Sequence, residues 1–272
     1  MFHIASLLVG FYLFVALLGD TEKKLFVIIP SYNNAKWAEK NLSTLLLQKY
    51  TNFEGIYIDD CSLDLTGTTV RNMLQTHDPL GKIEYVRNTQ RRGKAANLWL
   101  ALHGFLSKKK IQDQDIVVIL DGDDWYPHDT VFSFLNKFYV TNDIWLTYGG
   151  FVREPRQKSS PFVNVPAYVI DKNLFRYFGG CGSQQRTFYA WLYRKIKLSD
   201  FFFEGKFMPC TSDLAKIIPM MEMAGSRFRR IDEIIYVYNR ANTINDDKNG
   251  CLQAVVDRYI RAYTKIPISL KL

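Results

Sequence analysis

Three carboxylates within four residues, Asp121-Gly122-Asp123-Asp124, follow the apolar run Asp115-Ile116-Val117-Val118-Ile119-Leu120 and precede Trp125-Tyr126-Pro127. Like charges so close repel one another, so a fold that collects them where a strand stops needs a cation there. A hard divalent ion, Mn2+ or Mg2+, holding a diphosphate is the chemistry this pattern suits. The plainer reading is that Asp123 and Asp124 cap a helix opening at Pro127-His128-Asp129. The end of an apolar strand, a third carboxylate and polar clusters upstream favour the metal.

Two upstream segments carry complementary chemistry. Asp60, in Ile58-Asp59-Asp60-Cys61-Ser62, offers a carboxylate that could accept the imide N–H of a uracil-like base, whereas Asp64 and Thr66 read as helix-capping residues. The segment Asn88 to Asn97 (NTQRRGKAAN) places two arginines, Gly93 and Lys94 at the start of a helix. That is one way a chain presents positive charge and free backbone N–H groups to phosphate, although a solvated basic loop has the same composition.

The elements that must position these groups alternate. LFVIIP at Leu25 to Pro30 is a buried strand, with Ser31-Tyr32-Asn33-Asn34 as its loop and cap. A helix follows, with Trp37, Leu42, Leu45 and Leu46 on one face, ending near Gln48. Then come a strand at Phe53 to Ile58, a helix at Thr66 to Leu74, a strand at Lys82 to Arg87, a helix at Lys94 to Leu106 and a strand at Ile116 to Leu120. Such alternation predicts an α/β fold, a mostly parallel central sheet with helices on both faces. Ligands of such sheets sit beyond the carboxyl ends of the strands, where the polar clusters fall. The second half is less regular: Ser159 to Pro166 reads as a loop, Arg186 to Lys195 and Asp213 to Ala224 as helices, and Ile231 to Tyr238 as a late strand.

Composition excludes several classes. The 272 residues are 47% hydrophobic and 15% aromatic, enough for a sizeable core, and no linker or repeat divides them. The net charge of +8 suits a handler of anions. Nucleic acid is not an expected partner, since no nucleic-acid motif accompanies the charge. Cys61, Cys181, Cys210 and Cys251 form no C-x-x-C pair, which argues against a zinc site. A Cys181 to Cys210 bridge is open if the chain meets an oxidising compartment. Residues 2–18 are almost wholly apolar before the polar Asp20-Thr21-Glu22-Lys23-Lys24, so residues 1–19 read as a membrane anchor or a secretory signal, or as a buried terminal helix. The expected location is accordingly membrane-associated, or the secretory pathway if the segment is cleaved.

The motifs V-I-I-P-S-Y-N, D-D-C-S-x-D-x-T, N-x-x-R-x-G-K-A-x-N and L-D-G-D-D-W, in this order over Leu25 to Asp124, resemble those of the family 2 glycosyltransferases with the A-type, Rossmann-like nucleotide-diphospho-sugar transferase fold. The resemblance implies a metal-dependent inverting transferase over residues 25–265, with a nucleotide-sugar half at 25–125 and an acceptor half at 126–265. It implies that Pro30, Tyr32, Asn33 and Asp60 line the donor nucleoside and that Arg92 and Lys94 face its diphosphate. Asp121, Asp123 and Asp124 would hold ribose and metal. Its partners would be a nucleotide-sugar donor, with UDP preferred by family habit, and a glycan, lipid-linked or protein acceptor.

The family's catalytic base, commonly the Asp of an E-D pair, matches Asp213 in Pro209-Cys210-Thr211-Ser212-Asp213, with Ser212 in place of Glu. As an alternative, Asp213 is an acidic residue in a first helical turn. Glu222, nine residues on, is a reserve candidate whose setting suggests a buried pair. The segment Tyr236 to Lys248 falls where relatives close a loop over the diphosphate. Here Arg240, Asp247 and Lys248 are on offer. The run Gly179 to Arg186 reads as an acceptor-side loop. Two rivals remain: a nucleotidyltransferase, which would usually bring a glycine-rich loop after the first strand, and a non-catalytic sugar-nucleotide or glycan-binding module.

Overall fold

Strand β1 (Leu25–Ser31) is buried along its whole length, and its side chains alternate between two cores. Phe26 and Ile28 enter one apolar layer, while Leu25, Val27 and Ile29 enter the other. An unbroken apolar run is what a strand covered on both faces requires. The computed structural model describes residues 22–155, 158–159, 163–179, 186–244 and 250–262.

In chain order β1 is followed by α1 (Ala35–Leu46), β2 (Phe53–Asp59), α2 (Thr66–His77), β3 (Ile83–Arg87), α3 (Lys94–Leu102) and β4 (Ile116–Ile119). Next come α4 (Val131–Thr141), β5 (Leu146–Glu154), β6 (Lys158–Ser159), α5 (Ala167–Asp171), β7 (Thr187–Tyr189) and α6 (Ala190–Arg194). The chain continues through the short pair β8 (Phe202–Phe203) and β9 (Lys206–Phe207) to α7 (Ser212–Ala224), β10 (Phe228–Asn239) and α8 (Gly250–Ala262).

The main sheet runs β10-β5-β7-β4-β1-β2-β3, with β6 against β5. Strands β1, β2, β3 and β4 are mutually parallel, as are β5 and β10, and β7 is antiparallel to both β4 and β5. The expected mostly parallel α/β sheet is therefore present. From β1 the chain winds outward to β2 and β3 and returns to place β4 on the other side of β1. The carboxyl ends of β1 and β4 thus form the point where strand order reverses.

Three sequence expectations change. The helix expected over Arg186 to Lys195 begins as strand β7, because Phe188 must fill one core layer and Tyr189 the other. Helix α3 stops at Leu102 rather than Leu106, and Gly104 follows with φ 79°. Helix α4 opens at Val131 after Thr130, so Asp123 and Asp124 cap nothing. Strands β5 and β6 and helix α8 were not anticipated.

Residues 2–18, Cys181, Asp247 and Lys248 lie outside the described residues, as does most of the expected acceptor-side loop. Among the described residues no helix is long and apolar enough to cross a membrane.

Candidate active site

A cleft of about 870 Å³ opens at the reversal point. Of the residues singled out in the sequence, Pro30, Tyr32, Asp60, Lys94, Asp121, Asp123 and Asp213 line it, and Asn33, Arg92 and Asp124 do not.

The end of β2 organises one side of the cleft. Asp60 is buried and accepts hydrogen bonds from Asn88 Nδ2 (2.8 Å) and from the backbone N–H groups of Arg92 (2.9 Å) and Gly93 (2.8 Å). It therefore folds the basic loop back over the strand ends and still presents an edge to the cleft. Gly93 sits at φ 84°, where a side chain would be strained. The turn leaves Arg92 exposed and brings Arg91 to the cleft instead, its guanidinium 3.9 Å from the centroid of the Tyr32 ring. Asn33 is likewise displaced by its neighbour. It bridges to the loop after β2, accepting from Leu63 N–H at 2.8 Å, while Asn34 faces the cleft. Asp59 is wholly buried and accepts from Tyr85 and Arg87, so its work is within the fold.

The acidic turn is held from two sides. Asn41 on α1 donates to the carbonyls of Asp121 (2.9 Å) and Asp124 (2.7 Å). A Cβ at Gly122 would overlap Ser31, so only glycine lets the turn lie against the end of β1. Asp124 is fully buried and accepts from Tyr236 Oη (2.5 Å) and Asn239 N–H (2.8 Å). The three carboxylates do not converge: Asp124 anchors β10 to the turn, and Asp121 and Asp123 face the cleft. Among the described residues no three acidic, His or Cys side chains gather as a metal cage.

The electrostatics separate the two cleft carboxylates. Burial, and then the charge of Asp121, push the Asp123 carboxyl up to about 6, against a hydrogen bond from Asn242 that lowers it. Lys94 Nζ lies 2.8 Å from Asp121. Burial alone would lower the Lys94 pKa, but the charges of Asp121 and Asp213 outweigh it and raise it. The pair Asp121 and Asp123 fits a divalent ion that takes its remaining ligands from phosphate oxygens, as Mg2+-type sites commonly do.

Across the cleft, Asp213 stands in the first turn of α7 beneath three cations: Arg186 at 2.5 Å, Lys94 at 3.6 Å and Lys216 one helical turn on. Burial would raise its carboxyl, but those charges hold it well below the usual carboxylate range. Lys216 is fully buried, and desolvation brings its ammonium down to about 7. The reserve candidate Glu222 is excluded from the cleft. It takes a bidentate pair from Arg176, at 2.8 and 2.9 Å, in the interior.

The family model of glycosyl transferase family 2 matches residues 26–201, well over half of the chain. The chain belongs to this family. Among curated relatives it is 29% identical over 125 residues to an uncharacterised glycosyltransferase of Haemophilus influenzae, covering 46% of each chain. It is 28% identical over 121 residues to one of Mycoplasma genitalium, covering 43% of this chain and 37% of that one. The matches thus span less than half the length of these relatives.

Three solved structures share the fold. S. aureus TarS in complex with UDP has 18% identity and a TM-score of 0.58, over 79% of this chain and 60% of that one. The mannosyltransferase PcManGT of Pyrobaculum calidifontis, with GDP-Man and Mn2+, has 22% identity and a TM-score of 0.60, over 92% and 68%. Glucosyl-3-phosphoglycerate synthase of Mycobacterium tuberculosis, with Mn2+, UDP and glucosyl-3-phosphoglycerate, has 16% identity and a TM-score of 0.56, over 88% and 80%. The fold is that of the A-type nucleotide-sugar transferases, and this family 2 glycosyltransferase keeps its cleft at the same strand ends where sequence motifs cluster.

Several site residues escaped the sequence reading. Asn41, Tyr236, Asn239 and Asn242 position the acidic turn from distant elements, and Lys216 reaches Asp213 from the next turn of α7. Two signals were usable: the i, i+3 spacing of Asp213 and Lys216, and the segment Tyr236 to Lys248, which contains Tyr236, Asn239 and Asn242 but did not show which of its residues turn toward the acidic cluster.

Proposed function

We propose that this glycosyltransferase moves a sugar from a nucleoside diphosphate donor, in the first instance a UDP-sugar, to an acceptor hydroxyl with inversion. One observation carries the reading: Lys94 Nζ stands between Asp121, at 2.8 Å, and Asp213, at 3.6 Å, so the donor-holding turn and the base candidate face one cleft. The Mn2+ and nucleotide complexes of the related structures support a metal and a nucleotide donor here.

Tyr32, with Arg91 over its ring, and Asp60 would hold the nucleoside. Lys94 and the start of α3 would meet the diphosphate, where positive charge and free N–H groups favour the developing negative charge. Asp121 and Asp123 would hold a divalent ion, which when bound neutralises charge on the leaving diphosphate. Asp213, ionised at neutral pH, would accept the proton of the acceptor hydroxyl as its oxygen bonds the anomeric carbon. The bond from that carbon to phosphate breaks on the opposite face, and the nucleoside diphosphate leaves with the electron pair. A diphosphate in the cleft would draw Lys94 toward itself and make Asp213 more basic.

The binding-module alternative is favoured by one feature, the engagement of Asp213 with Arg186, Lys94 and Lys216, which weakens it as a base. Incubation with a panel of UDP- and GDP-sugars and Mn2+, with and without EDTA, separates the readings. Release of nucleoside diphosphate that EDTA abolishes supports transfer. Tight donor binding without release leaves a binding module.

A further inference from the structure

We infer that the acceptor carries an oxyanion, phosphate or carboxylate, beside the hydroxyl it presents, and that Arg153 on β5 receives it. This rests on the glycosyl-transfer reading above.

Phe151 and Arg153 are two apart on β5 and share a face, and Tyr238 of β10 lies in register with Arg153. All three line the cleft, together with Arg240 just beyond β10. The Phe151 and Tyr238 rings meet edge to face at 6.5 Å, and the Arg153 guanidinium lies 5.8 Å from the Phe151 centroid. Aromatic rings flanked by guanidinium groups suit a ligand with an apolar sugar face and an anionic substituent.

Three cleft cations are each matched by a carboxylate, and Arg153 is not. Lys94 is matched by Asp121, Arg186 by Asp213 and Arg261 by Asp257. Arg153 is partly buried, pairs with no acid among the described residues, and its Nε is shielded from solvent without an acceptor. Leaving a guanidinium N–H dry and unbonded is costly, and a bidentate oxyanion relieves that cost.

The donor does not explain it. At this level of the sheet β10 stands between Arg153 and the acidic turn: Arg153 is in register with Tyr238, and the preceding Val237 pairs with Val152 on one side and bridges to Trp125 on the other. The donor phosphates already have Lys94 and the start of α3. Arg153 therefore stands where an acceptor would approach.

The test is calorimetric titration of the protein, loaded with Mn2+ and UDP or GDP, with glucose, glucose 6-phosphate and glucuronate. The phosphate and carboxylate arms distinguish the two sources of the oxyanion. At least one anionic sugar should bind more tightly than glucose by about tenfold to a hundredfold. Arg153→Met should erase that preference, and Arg153→Lys should restore part of it. Equal binding of all three sugars would overturn the inference, as would an Arg153→Met variant that loses UDP affinity as much as sugar affinity. If neither UDP nor GDP binds, the transfer reading fails, whereas an Arg153-dependent preference for the anionic sugars would leave the oxyanion site standing.

Discussion

Asn242 donates its side-chain amide to Asp123 Oδ2 at 2.8 Å, joining residues 119 positions apart. The same nitrogen donates to Asn34 at 3.0 Å, so one amide ties the chain beyond β10 to both the acidic turn and the loop after β1. Asn242→Ala should leave Asp123 short of a donor, at a cost of about 1 kcal/mol. The expected result is a several-fold weaker Mn2+-dependent UDP affinity by calorimetry, with an unchanged far-UV spectrum. Unaltered affinity would make the bridge incidental.

Asp123 supplies a pH prediction. Its carboxyl is raised to about 6 in the folded protein from an ordinary 3.8, chiefly by burial and then by Asp121. The metal-free folded state then binds more protons than the unfolded chain between those values. The stability this group contributes is fully present below pH 3.8 and is lost as pH rises through about 6. Mn2+ must displace that proton, so it should raise Tm more at pH 7 than at pH 5, and Asp123→Asn should erase the difference.

Asp213→Asn is expected to abolish transfer while UDP still binds. It also strands Arg186, Lys94 and Lys216 without their shared acid. Breaking a buried pair from one side typically costs about 3–5 kcal/mol, and the 25% exposure of the Asp213 side chain should reduce this here. Thermal melting should show a lower Tm for Asp213→Asn that the double variant with Lys216→Met partly recovers. Transfer at the parental rate would remove Asp213 from the mechanism.

Lys216 has its own signature. Its pKa falls to about 7 from an ordinary 10.5, first through desolvation, with Asp213 opposing. The unfolded chain therefore binds more protons between those values. The stability tied to this lysine is fully present above pH 10.5 and is lost as pH falls through about 7. Urea titrations of the parent and of Lys216→Met across that window should differ in slope, with the parent gaining stability as pH rises.

Glu222→Gln offers a contrast within α7. It breaks the Arg176 pair, both of whose members are almost fully buried, so a loss of about 3–5 kcal/mol is expected in urea unfolding. UDP affinity of the folded fraction should hold, because neither residue lines the cleft.

The parallel half was legible because its strands are covered on both faces and so read as uninterrupted apolar runs, such as LFVIIP and IVVI. Each ends in residues that cannot be buried unpartnered, which marks the cleft edge. The antiparallel β7 was not legible, since TFY is three residues long and its place is fixed by β4 and β5 on either side. At the site, residue types were readable but orientation was not. Asn33 against Asn34, Arg91 against Arg92, and Asp123 against Asp124 are adjacent pairs in which one member lines the cleft and the other does not. Turn geometry decides each pair, through Asp60 binding the loop backbone and Tyr236 binding Asp124.

The insertion of β7 between β4 and β5 bears on how the chain emerges from the ribosome. Until Thr187, Phe188 and Tyr189 have been synthesised, Val117 and Thr147 have no neighbouring strand on that side, and two sheet edges stay open to stray pairing. Asp124 waits longer still, for Tyr236 and Asn239. The half of the chain made first thus keeps open strand edges and an unanchored acidic turn until the last strand arrives.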